Sequence, residues 1–170
     1  AILRELSTPQ PDGGAVISGD DTRPDIAYAV GVLSRFGSQP TLGACELVIY
    51  CLQYLRGSVD KGIRFGANSF DMHIFTDADW GGDQITRKST TGFVVFAAGG
   101  LISWQSKLQA TVATSSMQSE YQSLYAGMQE IVWLRGVLGE IRLPMCEPTP
   151  FFLDSQSAED LAINPVYHKR

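Results

Sequence analysis

Three acidic residues stand at positions where carboxylates could work together: Asp77 in "MHIFTDADWGG", Glu120 in "SSMQSEYQSLY" and Asp154 in "FFLDSQSAED". Asp77 falls near the end of an alternating run whose other face carries Phe70, Met72 and Ile74, so it shares a side with His73 and Phe75. Glu120 precedes Leu124 and Ile131 at helical spacing, which puts it on the inward stripe of a helix. Asp154 closes an apolar run just ahead of a helical pattern, at the strand end where ligands bind in open α/β sheets. Carboxylates brought together repel, by roughly 4 kcal/mol per pair at about 4 Å and an effective dielectric of about 20. Either a proton is taken up or divalent cations sit among them. All-oxygen ligands, in a chain with few histidines and no metal-spaced cysteines, select Mg2+ or Mn2+ over Zn2+. Two such ions a few Å apart can activate a water and steady the leaving oxygen when a phosphodiester is cut.

Each residue also has a bland use. Asp154 would cap the following helix, Glu120 would complement a helix N-terminus, and Asp77 would form a turn. What favours a shared site is the order of the elements. "TRPDIAYAVGVLSRFGSQP" reads as a helix with Pro24 at its first position and Ile26, Val30 and Leu33 as its apolar stripe. A second helix over 42–56 places Leu47, Val48, Cys51, Leu52 and Leu55 on one face, with Gly57 past its end. From Lys61 the period changes to two. "GIRFG", "FDMHIFTD", "TGFVVFAAGG" and "LISWQSK" read as strands, with Gly99 and Gly100 at a hairpin turn. A long helix over 115–140 follows, capped by Ser115 or Ser116, with Leu124, Met128, Ile131, Leu134 and Leu138 inward. "FFLD" is a short buried strand and "SQSAEDLAIN" a capped helix. These elements predict an α/β fold: a mixed sheet, begun by an antiparallel meander, with helices on its faces and a helical pair before it.

The chain of 170 residues suits one main domain, and no apolar run approaches the roughly 20 residues of a membrane helix. Three cysteines, Cys45, Cys51 and Cys146, form neither a metal motif nor an even disulfide set, which points to an intracellular compartment. Cys45 and Cys51 fall in a helical pattern and read as small core residues. The net charge of −5 argues against a free-standing nucleic-acid binder, though not against an enzyme whose acids hold Mg2+ and whose partners supply basic surface.

Several segments, in order, resemble one family. "IFTDADWGGD", "RKSTTGFVVFAAGGLISWQSK", "ATSSMQSEYQSLYAGMQEIVWLRGVL" and "FFLDSQSAEDLAINPVYHKR" are similar to the ribonuclease H domain of copia-type LTR retrotransposon polyproteins. "TRPDIAYAVGVLSRF" and "LQYLRGSVDKGIRF" resemble the segment joining that domain to the reverse transcriptase. Residues 1–21, rich in Gly, Pro, Asp and Ser without periodicity, read as loop or poorly ordered and match the family poorly, while the resemblance implies a helical connecting segment over 22–60 and a ribonuclease-H-like domain over 61–170. That domain would hold a five-stranded mixed sheet flanked by helices, and its C-terminal end, with a fourth carboxylate and a mobile histidine, would lie past Arg170; His168 precedes that stretch.

The implied activity is cutting of the RNA strand of an RNA–DNA hybrid with two Mg2+ ions, for which Mn2+ may substitute. Asp77, Glu120 and Asp154 would be the catalytic metal ligands, while Asp79 belongs to the local pattern. A hybrid is read through its backbone and 2′-hydroxyls. Ser116 and Gln156 match positions that touch it, with helix capping an equal rival for Ser116. Arg87 and Lys88 could meet phosphates or be merely solvated, and Trp80, Trp104 and Trp133 read as core or rim packing. The partners would be the hybrid and the reverse transcriptase domain of the same polyprotein, in a cytoplasmic retroelement particle or the nucleus, with no membrane. The competing reading is a catalytically inactive ribonuclease-H-like remnant that serves as a structural or interaction module. A transposase core would need a late helical glutamate, for which Glu159 stands too close to Asp154.

Overall fold

The computed structural model describes residues 22–66, 70–143 and 145–154. The N-terminal segment 1–21, the helix expected over 155–164 and Gln156 lie outside them. The chain divides into two compact units, Ala1–Ile63 and Arg64–Arg170.

In the first unit a 3-10 turn, Pro24–Ile26, leads into helix α1 (Ala27–Ser34), and α2 spans Leu42–Arg56. Proline's fixed φ suits the start of the turn. Thr41 caps α2 by accepting from the Ala44 N–H at 3.2 Å, and Gly57 ends it. The expected apolar face of α2 is only partly inward. Val48 is buried and Cys51 and Leu55 are half-buried, whereas Leu47 and Leu52 are exposed. Two short helices have too little surface between them to bury a full stripe. Polar contacts add to the packing: Arg23 donates to both Asp25 carboxylate oxygens, at 3.0 and 2.8 Å, and to Ser58 Oγ at 2.7 Å. The Tyr54 hydroxyl donates to Asp25 at 2.8 Å.

The second unit is α/β. Its sheet holds β1 (His73–Asp79), β2 (Thr90–Ala97), β3 (Gly100–Leu108) and β4 (Phe151–Leu153), in the order β3-β2-β1-β4. The first three pair antiparallel and β4 joins β1 in parallel, so the sheet is mixed. Between β3 and β4 runs helix α3 (Ser116–Glu140). Alternation along β1 buries Met72, Ile74, Thr76 and Ala78 and turns His73, Phe75, Asp77 and Asp79 outward. The core forms where Ile74, Phe93, Val95 and Ala97 meet Ile131 of α3. Gly127 allows that contact to be close, because a side chain there would strike Ile74 Cδ1 and Thr76 Cγ2 at 2.8 Å.

Four sequence expectations are corrected. "GIRFG" forms no strand among the described residues: Phe65 lies against Gly100 and Gly66 N–H donates to Ala98 O at 3.2 Å, so this stretch caps the end of the β2–β3 hairpin. The described sheet therefore has four strands where five were expected. The hairpin turn is Ala98–Gly99, not Gly99–Gly100. Both turn residues have positive φ, 52° and 76°, as a two-residue turn matched to strand twist requires. Met128 is 50% exposed. Four residues beyond Leu124 overshoots a full turn, and the inward place passes to Gly127. Of the two packing places expected for Trp133, core or rim, its 61% exposure leaves the rim. Among the described residues no helix is long and apolar enough to cross a membrane.

Candidate metal centre

Strand register brings the two aspartates together. Thr76 pairs with Leu153 in the parallel β1–β4 ladder, so the next residues, Asp77 and Asp154, emerge side by side at the strand ends. Parallel strands point their carboxyl ends the same way, which no hairpin partner of β1 could do.

Helix α3 supplies the third carboxylate. Ser115 Oγ caps the helix by accepting from the Gln118 N–H at 3.1 Å, and Gln118 Oε1 accepts from the Thr114 N–H at 2.7 Å. This reciprocal cap fixes where the first turn begins. Ser116 is therefore not the cap; it is the first helical residue, one turn ahead of Glu120, and exposed. The Trp80 indole N–H donates to Ala113 O at 3.2 Å, tying the end of β1 to the approach of α3.

Asp77, Glu120 and Asp154 each offer a carboxylate oxygen, and these oxygens all lie within 4.8 Å of one another. The aspartates are exposed and Glu120 is 8% exposed. Burial pushes the Glu120 carboxyl up, Asp77 and Asp154 push it further, and the Ala78 N–H that it accepts from pulls it back; the balance stands at about 7. The source of that N–H is visible in the ladder. Ile74 N–H donates to Pro150 O at 3.1 Å, so alternate residues of β1, including Ala78, aim their N–H at β4. The β1–β4 register ends at Thr76, and Glu120 meets the Ala78 N–H beyond it.

Glu120 Oε2 is buried with no hydrogen-bond partner. A desolvated, unpartnered oxygen on a glutamate grouped with two more carboxylates suits a hard divalent cation, which would take three anionic ligands at once. Asp79 is apart from this group. Its carboxylate lies over Gly82, where any side chain would collide with it, so it shapes the turn after β1. Around Glu120 the core is polar. Thr91, Gln109, Ser119 and Ser123 are all buried, and Ser123 Oγ donates to Thr91 Oγ1 at 3.2 Å.

The chain aligns with "Retrovirus-related Pol polyprotein from transposon TNT 1-94" of Nicotiana tabacum at 45% identity over 149 residues, 88% of this chain and 11% of that protein. The corresponding polyprotein of transposon RE1 from Arabidopsis thaliana is 37% identical over 150 residues, again 88% of this chain and 10% of the relative. The chain is homologous to a segment of retrotransposon Pol polyproteins. It spans about a tenth of the length of these Pol polyproteins. It is also similar to "Secreted RxLR effector protein 161" of Plasmopara viticola, at 44% identity over 114 residues, 66% of this chain and 80% of that protein. No family model matches the chain, and no solved structure does.

Arg87 and Lys88 are not among the three clustered carboxylates and belong to the loop between β1 and β2. Arg87 holds a positive φ of 58°, with its guanidinium beside Gly81, and Lys88 is half-buried in the same β1–β2 loop. That loop is built around Asp83, which accepts from the Ile85 N–H at 3.1 Å and the Thr86 hydroxyl at 2.7 Å. Sequence reasoning passed over the buried polar group of Thr91, Gln109, Ser119 and Ser123. The available signal was two serines at i and i+4 on the inward stripe of α3, where apolar residues belong.

Proposed function

We propose that this Pol segment is a ribonuclease-H-like domain that cuts the RNA strand of RNA–DNA hybrids with divalent metal ions held by Asp77, Glu120 and Asp154. The observation that carries the reading is the convergence of three carboxylate oxygens within 4.8 Å, from two parallel strand ends and a helix. The described sheet, in the order β3-β2-β1-β4 with α3 running between its antiparallel part and its parallel strand, is a mixed α/β arrangement that brings these strand ends and the helix together.

The chain's own groups divide the work. Asp77 and Asp154, exposed at the strand ends, are the ligands that substrate oxygens can share. Glu120 is held from behind by the Ala78 N–H and adds the third charge. Bound Mg2+ or Mn2+ would supply a water of lowered pKa and charge stabilisation for the leaving oxygen. Ser116, exposed on the first turn of α3, would touch a hybrid backbone, and Gln156 is proposed for the same task from its sequence position. The reverse transcriptase of the same polyprotein would supply the basic surface that a net charge of −5 withholds.

That same charge favours a second reading, a remnant that keeps the fold for structural or interaction purposes. Cleavage separates the two. An end-labelled RNA in a hybrid, incubated with a high concentration of the protein and Mg2+ or Mn2+, should be cut, while single-stranded RNA should not. Asp77→Asn and Asp154→Asn should each abolish the cut. Cleavage at the parental rate by either variant would overturn the assignment, and no cleavage by the parent would favour the remnant.

A further inference from the structure

We infer that Gln109 is a positioning residue for Glu120, acting through a buried clasp that sets the first turns of α3 against the sheet. The inference rests on the metal-centre reading for what Glu120 does, and on geometry alone for how Glu120 is held.

Gln109 follows β3 by one residue, at the start of the connection to α3, where a polar residue would ordinarily face water. Here it is 6% exposed. Its side-chain amide donates twice, to Thr91 Oγ1 at 3.1 Å and to the Ser119 carbonyl at 3.0 Å. The orientation of that amide is decided by chemistry: a carbonyl oxygen only accepts, so the nitrogen must be the atom facing Ser119. Thr91 Oγ1 also accepts from Ser123 Oγ at 3.2 Å. The Gln109 backbone is fixed as well, its N–H donating to Ser89 O at 2.8 Å, and Ser89 Oγ accepts from the Gly81 N–H at 3.0 Å.

These bonds close a circuit around the buried glutamate. Ser119 is the residue before Glu120, and Ser123 is one turn later on the same face. Thr91, joined to Ser123 directly and to Ser119 through Gln109, is the register partner of Ala78, whose N–H Glu120 accepts. The clasp therefore ties the helix to the β-strand position directly across from the glutamate's own anchor. A restraint is needed there. Asp77 and Asp154 repel Glu120, and burial disfavours its charge, so a helix end free to turn would carry the carboxylate away. Packing by large side chains begins only at Leu124, because the other inward residues beside Glu120 are the small Ser119 and Ser123. In metal sites, partners behind the ligands commonly govern affinity.

The test pairs two variants with two readouts. Gln109→Met keeps the length of the side chain and removes both donors, while Ser119 O retains its helical partner and Thr91 Oγ1 retains Ser123. Thr91→Val removes the shared acceptor and keeps a β-branched residue in β2. Gln129→Met makes the first change on the exposed face of α3 and serves as control. The readouts are Mn2+ affinity by calorimetry and exchange of the Ala78 amide hydrogen in the metal-free protein, compared with Ile74 on the same strand. Gln109→Met and Thr91→Val should each weaken Mn2+ binding by about tenfold and speed Ala78 exchange by a similar factor, with Ile74 unchanged. The control should alter neither. Parental affinity and parental Ala78 exchange in both variants, whatever happens to the melting temperature, would overturn the inference. A parent that binds no Mn2+ would overturn the metal reading instead, and Ala78 exchange would then decide the clasp by itself.

Discussion

Replacing Glu120 with glutamine should make the metal-free protein more stable while destroying its cation site. The carboxyl stands at about 7 against an ordinary value of 4.5, with burial the largest cause and Asp77 and Asp154 next. An acid whose folded pKa lies above its unfolded value favours folding fully only below the unfolded value. That contribution is lost as pH rises through the folded value, so the parent should lose stability between about pH 4.5 and pH 8. At about 1.4 kcal/mol per factor of ten, the difference sets a ceiling of roughly 3 kcal/mol, and solvent at the exposed aspartates screens it to about 1–2 kcal/mol. Glutamine keeps an acceptor for the Ala78 N–H and carries no charge, so Glu120→Gln should escape this loss. Thermal melts in chelator should then show the variant several degrees above the parent at pH 8, by about 4–8 °C per kcal/mol, and level with it near pH 4.5. Added Mn2+ should reverse the order, because only the parent binds it tightly. A variant less stable than the parent at pH 8 without metal, or a difference that ignores pH, would refute the reasoning.

Three further outcomes follow from the packing. Gly127→Ala should destabilise the protein by about 1–2 kcal/mol in chemical denaturation, the clash with Ile74 and Thr76 outweighing the roughly 1 kcal/mol that alanine returns to a helix. Asp25 is held at about 2, chiefly by hydrogen bonds from Arg23, so its contribution to the first unit is present above its ordinary 3.8 and lost as pH falls through about 2. Asp25→Asn should flatten the acid limb of a pH–stability curve by less than about 1 kcal/mol, since the carboxylate is partly exposed. Gly99→Ala, at a φ of 76°, should cost about 1 kcal/mol and show as a lower denaturation midpoint with an unchanged slope.

Much of the second unit could be read from patterning, because its strands obey a period of two. Met72, Ile74, Thr76 and Ala78 alternate with outward residues, which places Asp77 near a strand end, and Asp154 could be placed at another because it closes the apolar run "FFL". Glu120 was legible because a charged residue sat in register with Leu124 and Ile131. What pattern could not convey is distance. That the three carboxylates meet depends on the parallel pairing of Thr76 with Leu153, a contact between residues far apart in the chain. "GIRFG" misled because Ile63 and Phe65 alternate correctly yet bury little, being 39% and 60% exposed. Gln109 escaped notice for the opposite reason. A glutamine after a strand looks like surface, and only the surrounding hydrogen bonds reveal that it is interior. In the first unit, Leu47 and Leu52 fit a helical stripe that the described residues do not cover.

The outward side of the sheet carries rings in contact. His73 stacks on Phe96 with centroids 5.3 Å apart, and Phe75 on Phe152 at 4.9 Å. Beside them is a hollow of about 490 Å³ that Phe75, Val94 and Phe152 line together with Asp77 and Asp154. This apolar floor abuts the carboxylates and lowers the polarity on one side of them, which would strengthen the hold on a cation in the proposed site.

The most direct test of the account is a crystal of this protein grown or soaked with Mn2+ and recorded at a wavelength where manganese scatters anomalously. The account predicts an anomalous peak in contact with carboxylate oxygens of Asp77, Glu120 and Asp154, and its loss in Asp154→Asn. No peak at saturating Mn2+, or a peak that survives in the variant at full height, would contradict it.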